Sequence, residues 1–158
     1  MNQPRLAVKQ DMSRVLELIQ ELATFEKETD AVEVTLSDLE KDGFCNNPKF
    51  VCFVLEVDDF VEGIALVYKR YSTWKREVLH LEDLIVSEKF RGKGLGTKLL
   101  DTVISYGKEI GVKRVSWEVL DWNEPAIKFY ESKGANVMRD WDVVHLDESG
   151  IENYLKNI

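Results

Sequence analysis

Apolar side chains recur every three to four residues near the start of the chain, from just after Asp11. The positions that share this stripe are Met12, Val15, Leu16, Ile19, Leu22 and Ala23. Polar residues occupy the opposite face, which is the pattern of an amphipathic helix packed on a core. The spacing predicts a helix that begins at Asp11 and ends near residues 25–28.

Four further segments carry helix signals. Thr35 and Asp38 form a capping pattern, and Asn123 followed closely by Pro125 is typical of a helix start. Glycines stand where several of these segments stop, as expected of helix ends. The further predicted helices are residues 35–41, 94–110, 123–134 and 151–155.

Runs of apolar and β-branched residues predict seven strands. Asp58–Asp59 predicts a tight turn, and Gly63, inside the strand that follows, indicates a bulge. The predicted strands are residues 5–9, 50–57, 61–68, 77–86, 114–119, 136–140 and 141–146. Because the fourth and fifth strands flank a helix, they predict a βαβ crossover. The chain is therefore predicted to be one α+β domain, residues 1–158, with a mixed sheet.

Composition narrows the class of protein. The chain has 158 residues, which suits one domain, and it has no apolar run of eighteen residues. The first residues lack the apolar region of a signal peptide, so we expect a cytoplasmic protein that does not bind membranes. Cys45 and Cys52 have no metal-ligand spacing, so we expect two reduced thiols and no metal site. The net charge of −8 argues against nucleic acid as a partner and is compatible with a cationic substrate.

A glycine loop at residues 91–96 lies between an apolar strand and a helix. Glycines let an anion approach the N–H groups of the first helical turn, which carry partial positive charge. Arg91 and Lys93 add positive charge. A Walker loop would need Ser or Thr after Lys93, where Gly94 stands, and the alternating glycines do not match a dinucleotide fingerprint. The loop therefore predicts another kind of diphosphate site, with a simple tight turn as the alternative.

The loop has the form Arg-x-x-Gly-x-Gly, and it resembles the acetyl-CoA loop of the GCN5-related N-acetyltransferases, the GNAT family. Asn123-Glu124-Pro125, with Phe129-Tyr130 and Gly134-Ala135 after it, resembles the same family, so the resemblance covers nearly the whole chain. It implies an N-acetyltransferase that uses acetyl-CoA. It also implies a mixed, mostly antiparallel, twisted sheet of six to seven strands, flanked by helices and splayed after the fourth strand.

Segments outside the loop resemble the diamine acetyltransferase group, which includes spermidine/spermine and thialysine acetyltransferases. They are Glu21-Leu22-Ala23-x-Phe25-Glu26, Asp42-Gly43-Phe44, Tyr71-Ser72-Thr73-Trp74, Leu81-Glu82-Asp83 and Trp122-Asn123-Glu124-Pro125. The group implies a homodimer, and the apolar Val143, Val144 and Leu146 are the candidates for its interface.

Acetyl transfer to an amine requires a proton acceptor, because an alkylammonium is only about 1 in 2,500 neutral at pH 7. Glu82, a few residues before the loop, either accepts this proton or only binds the substrate cation. His80 shares its strand face, whereas Asp83 faces the other way unless a bulge turns it. The leaving thiolate also requires an acid. The resemblance assigns this role to Tyr130, with core packing as the alternative.

The resemblance implies a set of site residues. Those that bind the cofactor are Leu84, Ile85, Val86, Arg91, Gly92, Lys93, Gly94, Leu95, Gly96, Thr97, Asn123 and Lys133. Asn123 can instead serve only as a helix cap, and Lys133 can be a solvated surface residue. The candidates for binding the substrate are Glu26, Glu28, Trp74, Glu82 and Asp83. Trp74 with Glu26 and Glu28 can line an amine pocket by aromatic and carboxylate contact, with surface and core packing as the alternative.

Two positions depart from the spermine branch. Ser72 stands where that branch has an acidic residue, and Arg139 lies near another acidic site. We therefore expect a small diamine or diamino acid such as thialysine, lysine or ornithine. Transfer is expected to be direct, in a ternary complex, because no cysteine lies in the motif to carry the acetyl group. The alternatives are a polyamine acetyltransferase, a protein N-terminal or lysine acetyltransferase, and a CoA-binding module without turnover. Glu82 and Tyr130 together favour an enzyme.

Overall fold

The computed structural model describes residues 3–158. Five strands form one sheet in the order β1-β2-β3-β4-β5. The strands are β1 Arg5–Leu6, β2 Val51–Val57, β3 Phe60–Ser72, β4 Arg76–Val86 and β5 Val115–Ser116. The helices are α1 Met12–Phe25, α2 Leu36–Gly43, α3 Leu95–Glu109, α4 Glu124–Ser132 and α5 Glu148–Lys156. None of the helices in residues 3–158 combines the length and apolar character that a membrane crossing requires.

The predicted mixed sheet is confirmed, but it has five strands rather than six or seven. The predicted strands at 136–140 and 141–146 are wrong, because neither segment pairs with another strand of the described chain. Most of their apolar side chains instead remain exposed, to 60% at Val143 and 89% at Val144. β1 also ends earlier than predicted, since the chain turns into a 3-10 segment, Lys9–Asp11, where Asp11 accepts the N–H of Val8 at 2.8 Å.

The chain forms two compact units, the first ending at Glu118 and the second comprising Val119–Ile158. The single domain predicted over residues 1–158 stays a prediction. In the first unit, α1 and α2 cover one face of the sheet, around a cluster of Met12, Val15, Leu18, Leu39, Cys52, Val54, Val61, Ile64 and Ile85. α3 packs on the other face, where a Cβ on Gly63 would lie 3.0 Å from Leu99 Cδ1. The absence of a side chain at Gly63 therefore permits the close approach of α3.

Two bulges interrupt the antiparallel pairing. Leu55 pairs with Gly63 and Glu56 pairs with Val61, so Glu62 is the extra residue of β3. Leu66 pairs with Asp83 and Val67 pairs with Leu81, so Glu82 is the extra residue of β4. A bulge increases strand twist and redirects side chains. The second bulge therefore lies at the residue that the sequence singles out for catalysis.

β4 and β5 are parallel and joined through α3, which confirms the predicted crossover. Their pairing is limited to Leu79 with Val115 and His80 with Ser116. Beyond that point β4 continues to Val86 with no assigned strand partner on this side among residues 3–158. The predicted splay after the fourth strand is therefore present.

Candidate active site

The glycine loop has the backbone geometry of an anion site. Gly92 and Gly94 have φ of 74° and 78°, in the left-handed region that glycine favours, and Gly94 caps α3. A Cβ on either glycine would meet no protein atom within 4 Å. The first helical hydrogen bond runs from Lys98 N–H to Gly94 C=O at 3.2 Å, so the preceding amides of the turn have no intrahelical acceptor. Open space beside these amides fits a diphosphate.

The two cations of the loop differ in their contacts. Arg91 donates from Nε to the Val86 carbonyl at 2.9 Å and from Nη2 to Glu21 at 3.3 Å. Lys93 is exposed and its Nζ lies 4.7 Å from the centre of the Phe90 ring. Lys93 therefore keeps the mobile charge expected of a phosphate-binding residue, whereas Arg91 is held by the protein.

The bulge at Glu82 brings three polar residues of β4, His80, Glu82 and Asp83, to one face. Asp83 precedes Ile85 by two residues and shares its side, under α1. Glu82 Oε2 lies 3.7 Å from His80 Nε2, and Glu82 and Asp83 interact electrostatically. The sequence predicts that Asp83 faces away from Glu82 unless a bulge turns it. That bulge is present, and it turns both carboxylates to the same side. Glu26, the C-cap of α1, interacts electrostatically with Asp83 and with Glu28, so these four carboxylates form one group.

The electrostatics of this carboxylate group follow from crowding and burial. Burial, then the charges of Glu82 and Glu26, raise the pKa of Asp83 to about 6. Burial and then Glu28 raise the pKa of Glu26 above its ordinary value. Like charges in a site of low polarity disfavour full ionisation. A cation placed among these carboxylates would relieve their mutual repulsion.

His80 is buried and contacts β5. Its Nδ1 lies 3.0 Å from Ser116 Oγ on β5, and its ring lies 5.3 Å from that of Tyr68. Burial lowers the pKa of His80, against the opposing effect of Glu82. Through these contacts His80 joins β4 to β5 and packs against Tyr68.

The sequence analysis missed Glu62, a buried carboxylate at the first bulge. It accepts hydrogen bonds from Ser87 Oγ at 2.7 Å and Arg14 Nη2 at 3.1 Å, and it pairs with Lys89 Nζ at 2.6 Å. Burial alone would raise the pKa of Glu62, but these three donors outweigh it and lower the pKa. Glu62 therefore ties α1 and β3 to the segment that leads into the glycine loop. An acidic residue inside the apolar run of β3 was the available signal, since a buried charge needs partners.

Trp74 is not brought near Glu82 within one chain. It lies in the hairpin between β3 and β4 and is 73% exposed. β4 starts at Arg76, and the distance along the strand from there to Glu82 is about 20 Å. Ser72 Oγ accepts the N–H groups of Trp74 and Lys75, both at 3.3 Å, so it shapes this hairpin.

The remaining predicted site residues belong to the second unit. Asn123 Oδ1 accepts the N–H of Ala126 at 3.4 Å, which makes Asn123 the cap of α4. The rings of Tyr130 and Phe129 lie 5.4 Å apart, and Lys133 Nζ lies 5.7 Å from the centre of the Phe129 ring. Arg139 Nη2 pairs with Glu124 at 3.2 Å. The cofactor roles of Asn123 and Lys133 and the acid role of Tyr130 stay predictions.

The chain belongs to the acetyltransferase (GNAT) family, whose model matches residues 12–135. It is 34% identical over 149 residues to thialysine N-epsilon-acetyltransferase of Bos taurus, which covers 89% of this chain and 88% of that protein. It is 36% identical over 140 residues to spermidine/spermine N(1)-acetyltransferase-like protein 1 of Homo sapiens, covering 84% of this chain and 20% of that protein. Among solved structures, aminoglycoside N-acetyltransferase AAC(6')-Iy in complex with CoA matches with a TM-score of 0.73 and 18% identity, over 92% of this chain and 94% of that chain.

The protein is therefore an N-acetyltransferase that uses acetyl-CoA, as the sequence predicts. The group-level resemblance is also confirmed, because both relatives belong to the diamine acetyltransferase group that the sequence indicates.

Gly94→Val is expected to weaken CoA binding at least about tenfold, because a branched side chain would block the approach to the first-turn amides. The positive φ at Gly94 adds a strain of about 1–2 kcal/mol, so the melting temperature should fall as well. Gly111→Val is the matched control, since Gly111 also has a positive φ, 77°, and open space around it, but follows the opposite end of α3. Calorimetric titration with CoA, well below both melting temperatures, makes the comparison. Unchanged affinity in Gly94→Val would remove the loop from the cofactor site.

Proposed function

We propose that this enzyme transfers the acetyl group of acetyl-CoA to a primary amine of a small diamino acid, of the thialysine, lysine or ornithine type. The observation that carries the proposal is the group of carboxylates at the end of β4, formed by Glu82, Asp83, Glu26 and Glu28. It suits an ammonium group, and the name of the bovine relative, which aligns with most of the chain, specifies thialysine.

The residues of this chain then have separate roles in the proposed transfer. Bound acetyl-CoA supplies the reactive thioester, and the loop amides from Gly92 to Thr97, with Lys93, hold its diphosphate. The edge of β4 from Leu84 to Val86 that faces away from β3 would offer backbone groups to the pantetheine arm, apart from the Val86 carbonyl, which accepts Arg91 Nε. Glu82 would bind the ammonium or accept its proton, directly or through water, which leaves a neutral amine able to displace the thiolate of the bound thioester in the ternary complex. Tyr130 would donate its hydroxyl proton to that thiolate, and the proton that the new amide nitrogen loses would restore the hydroxyl.

The second candidate function is acetylation of a polyamine such as spermine. The carboxylates around Asp83 favour it, since each desolvated positive charge needs a partner. Arg139 opposes the binding of a polyamine less than the sequence indicates, because its ion pair with Glu124 offsets its charge. Ser72 favours the diamino acid, since its hydroxyl supports a hairpin and supplies no negative charge.

The substrate test measures acetyl-CoA-dependent thiol release with thialysine, lysine, ornithine, spermidine and spermine at equal ionic strength. We expect kcat/KM for the best diamino acid to exceed that for spermine by about 10–100-fold, the effect of one unpaired charge. A higher kcat/KM for spermine would replace the diamino-acid proposal with the polyamine one. Turnover of peptides alone would indicate a protein acetyltransferase. CoA binding without turnover of any amine would indicate a non-catalytic module.

We propose that the enzyme is a homodimer. The exposed apolar residues Val143, Val144 and Leu146 support this, being 59% to 89% exposed in the single chain. Light scattering at micromolar concentration is expected to give twice the chain mass of 18.3 kDa. A mass near that of one chain would contradict the dimer.

We also propose a cytoplasmic location, since Cys45 and Cys52 are both free thiols and reducing compartments keep thiols in that state. Cell fractionation that recovers the protein with secreted material would contradict this location.

A further inference from the structure

Arg91, the first residue of the Arg-x-x-Gly-x-Gly loop, is bound to the protein on two sides. Its Nε donates to the Val86 carbonyl at 2.9 Å, at the end of β4. Its Nη2 donates to Glu21 Oε1 at 3.3 Å, and the guanidinium carbon lies 5.1 Å from the centre of the Phe25 ring. The guanidinium therefore bridges the last residue of β4 and the C-terminal half of α1.

Glu21 is the other half of this bridge. The same oxygen that receives Arg91 also accepts the backbone N–H of Glu88 at 2.9 Å. Glu88 begins the short 3-10 turn Glu88–Phe90 that leads directly into the loop. One carboxylate of α1 thus holds both the start of this turn and the side chain at its end.

We infer that Arg91 is a positioning residue, which together with Glu21 holds the glycine loop in the geometry that binds the diphosphate. This inference rests on the proposed role of the loop. Turning the guanidinium toward a phosphate would break its bonds to the Val86 carbonyl and to Glu21. Lys93 and the first-turn amides then make the direct phosphate contacts. The bridge also joins the cofactor loop to the helix whose C-cap, Glu26, belongs to the carboxylate group.

Two substitutions separate the positioning role from a direct phosphate contact, because the two roles predict opposite results. Glu21→Gln keeps an oxygen acceptor for Glu88 but removes the charge that holds Arg91. If Arg91 were a phosphate ligand, this change would free it and tighten CoA binding. In the positioning role, the loop loses support, and CoA binding should weaken about three- to fivefold, as for a partly exposed ion pair.

Arg91→Lys keeps the positive charge but loses the planar fork that reaches two acceptors at once. We expect it to weaken CoA binding about tenfold, nearly as much as Arg91→Gln, whereas a phosphate ligand that acts through its charge alone would tolerate the exchange. Glu17→Gln is the matched control, since Glu17 lies one helical turn from Glu21 and pairs with Arg14 instead. It should leave CoA affinity unchanged.

The measurements are calorimetric titration with CoA, thermal melting, and steady-state kinetics of each folded variant. In the positioning role, Glu21→Gln raises the KM for acetyl-CoA, while kcat at saturating acetyl-CoA and the KM for the amine stay near wild type. The double variant with Arg91→Gln and Glu21→Gln should lose no more CoA affinity than Arg91→Gln alone, because each substitution breaks the same bridge.

Tighter CoA binding in Glu21→Gln, or wild-type affinity in Arg91→Lys, would overturn the inference and leave the proposed function intact. Wild-type protein that does not bind CoA would overturn both.

Discussion

Tyr130→Phe is expected to lower turnover by about 10²–10⁴-fold, the range for losing a general acid. The change removes one hydroxyl from α4 and leaves the aromatic ring, which packs 5.4 Å from Phe129. The affinity for CoA should change little, because the thiolate is generated only during transfer. Steady-state kinetics with the best amine and calorimetric titration with CoA measure the two effects.

The control for this variant is Tyr154→Phe, the same chemical change on α5, where the side chain is 64% exposed. It should keep wild-type kinetics. If Tyr130→Phe also turned over at nearly the wild-type rate, Tyr130 would be a packing residue, and the acid for the thiolate would have to be sought elsewhere.

Asp83→Asn is expected to stabilise the folded protein at neutral and alkaline pH while weakening the binding of the amine. The pKa of Asp83 is raised from 3.8 to about 6 by burial and by neighbouring carboxylates. Above pH 6 the wild-type protein must keep this carboxylate ionised in an unfavourable place, which costs up to about 3 kcal/mol of unfolding free energy. Removing the charge relieves that cost.

The stability gain of Asp83→Asn should increase with pH. Below about pH 4 Asp83 is protonated in both the folded and the unfolded chain, so the variant should gain nothing. Between pH 4 and 6 the folded protein alone retains the proton, and the stability of the wild type falls relative to the variant as the pH rises. The gain should be complete above pH 6. Denaturant unfolding at pH 4, 5, 6 and 8 measures it.

Asp101→Asn, which removes an exposed carboxylate from α3, is the control and should show no such pH profile. The KM for the amine should rise in Asp83→Asn and remain unchanged in Asp101→Asn. A stability gain of equal size at pH 4 and pH 8 would show that the charge of Asp83 is not its cause. No gain at pH 8 would show that the carboxylate is well solvated.

Local chemistry explains why most helix boundaries were predictable. Thr35 and Asp38 form the predicted capping box, Gly94 caps α3, and Asn123 caps α4. Each signal acts within a few residues of chain, so the sequence contains all of it. The cofactor loop was predictable for the same reason, because its glycines and the helix after it are contiguous.

Features that depend on distant pairing were harder to predict. Alternation along β4 places Glu82 and Asp83 on opposite faces, and only the register against β3 reveals the bulge that brings them together. The alternating residues near Val143 and Val144 resemble a strand, yet a strand also requires a partner, which alternation does not specify. The Glu21–Arg91 bridge joins residues 70 positions apart, so no local pattern contains it.

The short pairing of β4 with β5 affects how readily the protein associates with itself while no substrate is bound. A strand edge with unpaired N–H and C=O groups is a template on which another polypeptide can add a strand, and such edges promote aggregation. The part of β4 that continues to Val86 without a strand partner in residues 3–158 is an edge of this kind. In the proposed cofactor site the pantetheine arm would occupy the same groups, so bound acetyl-CoA would compete with self-association along this edge.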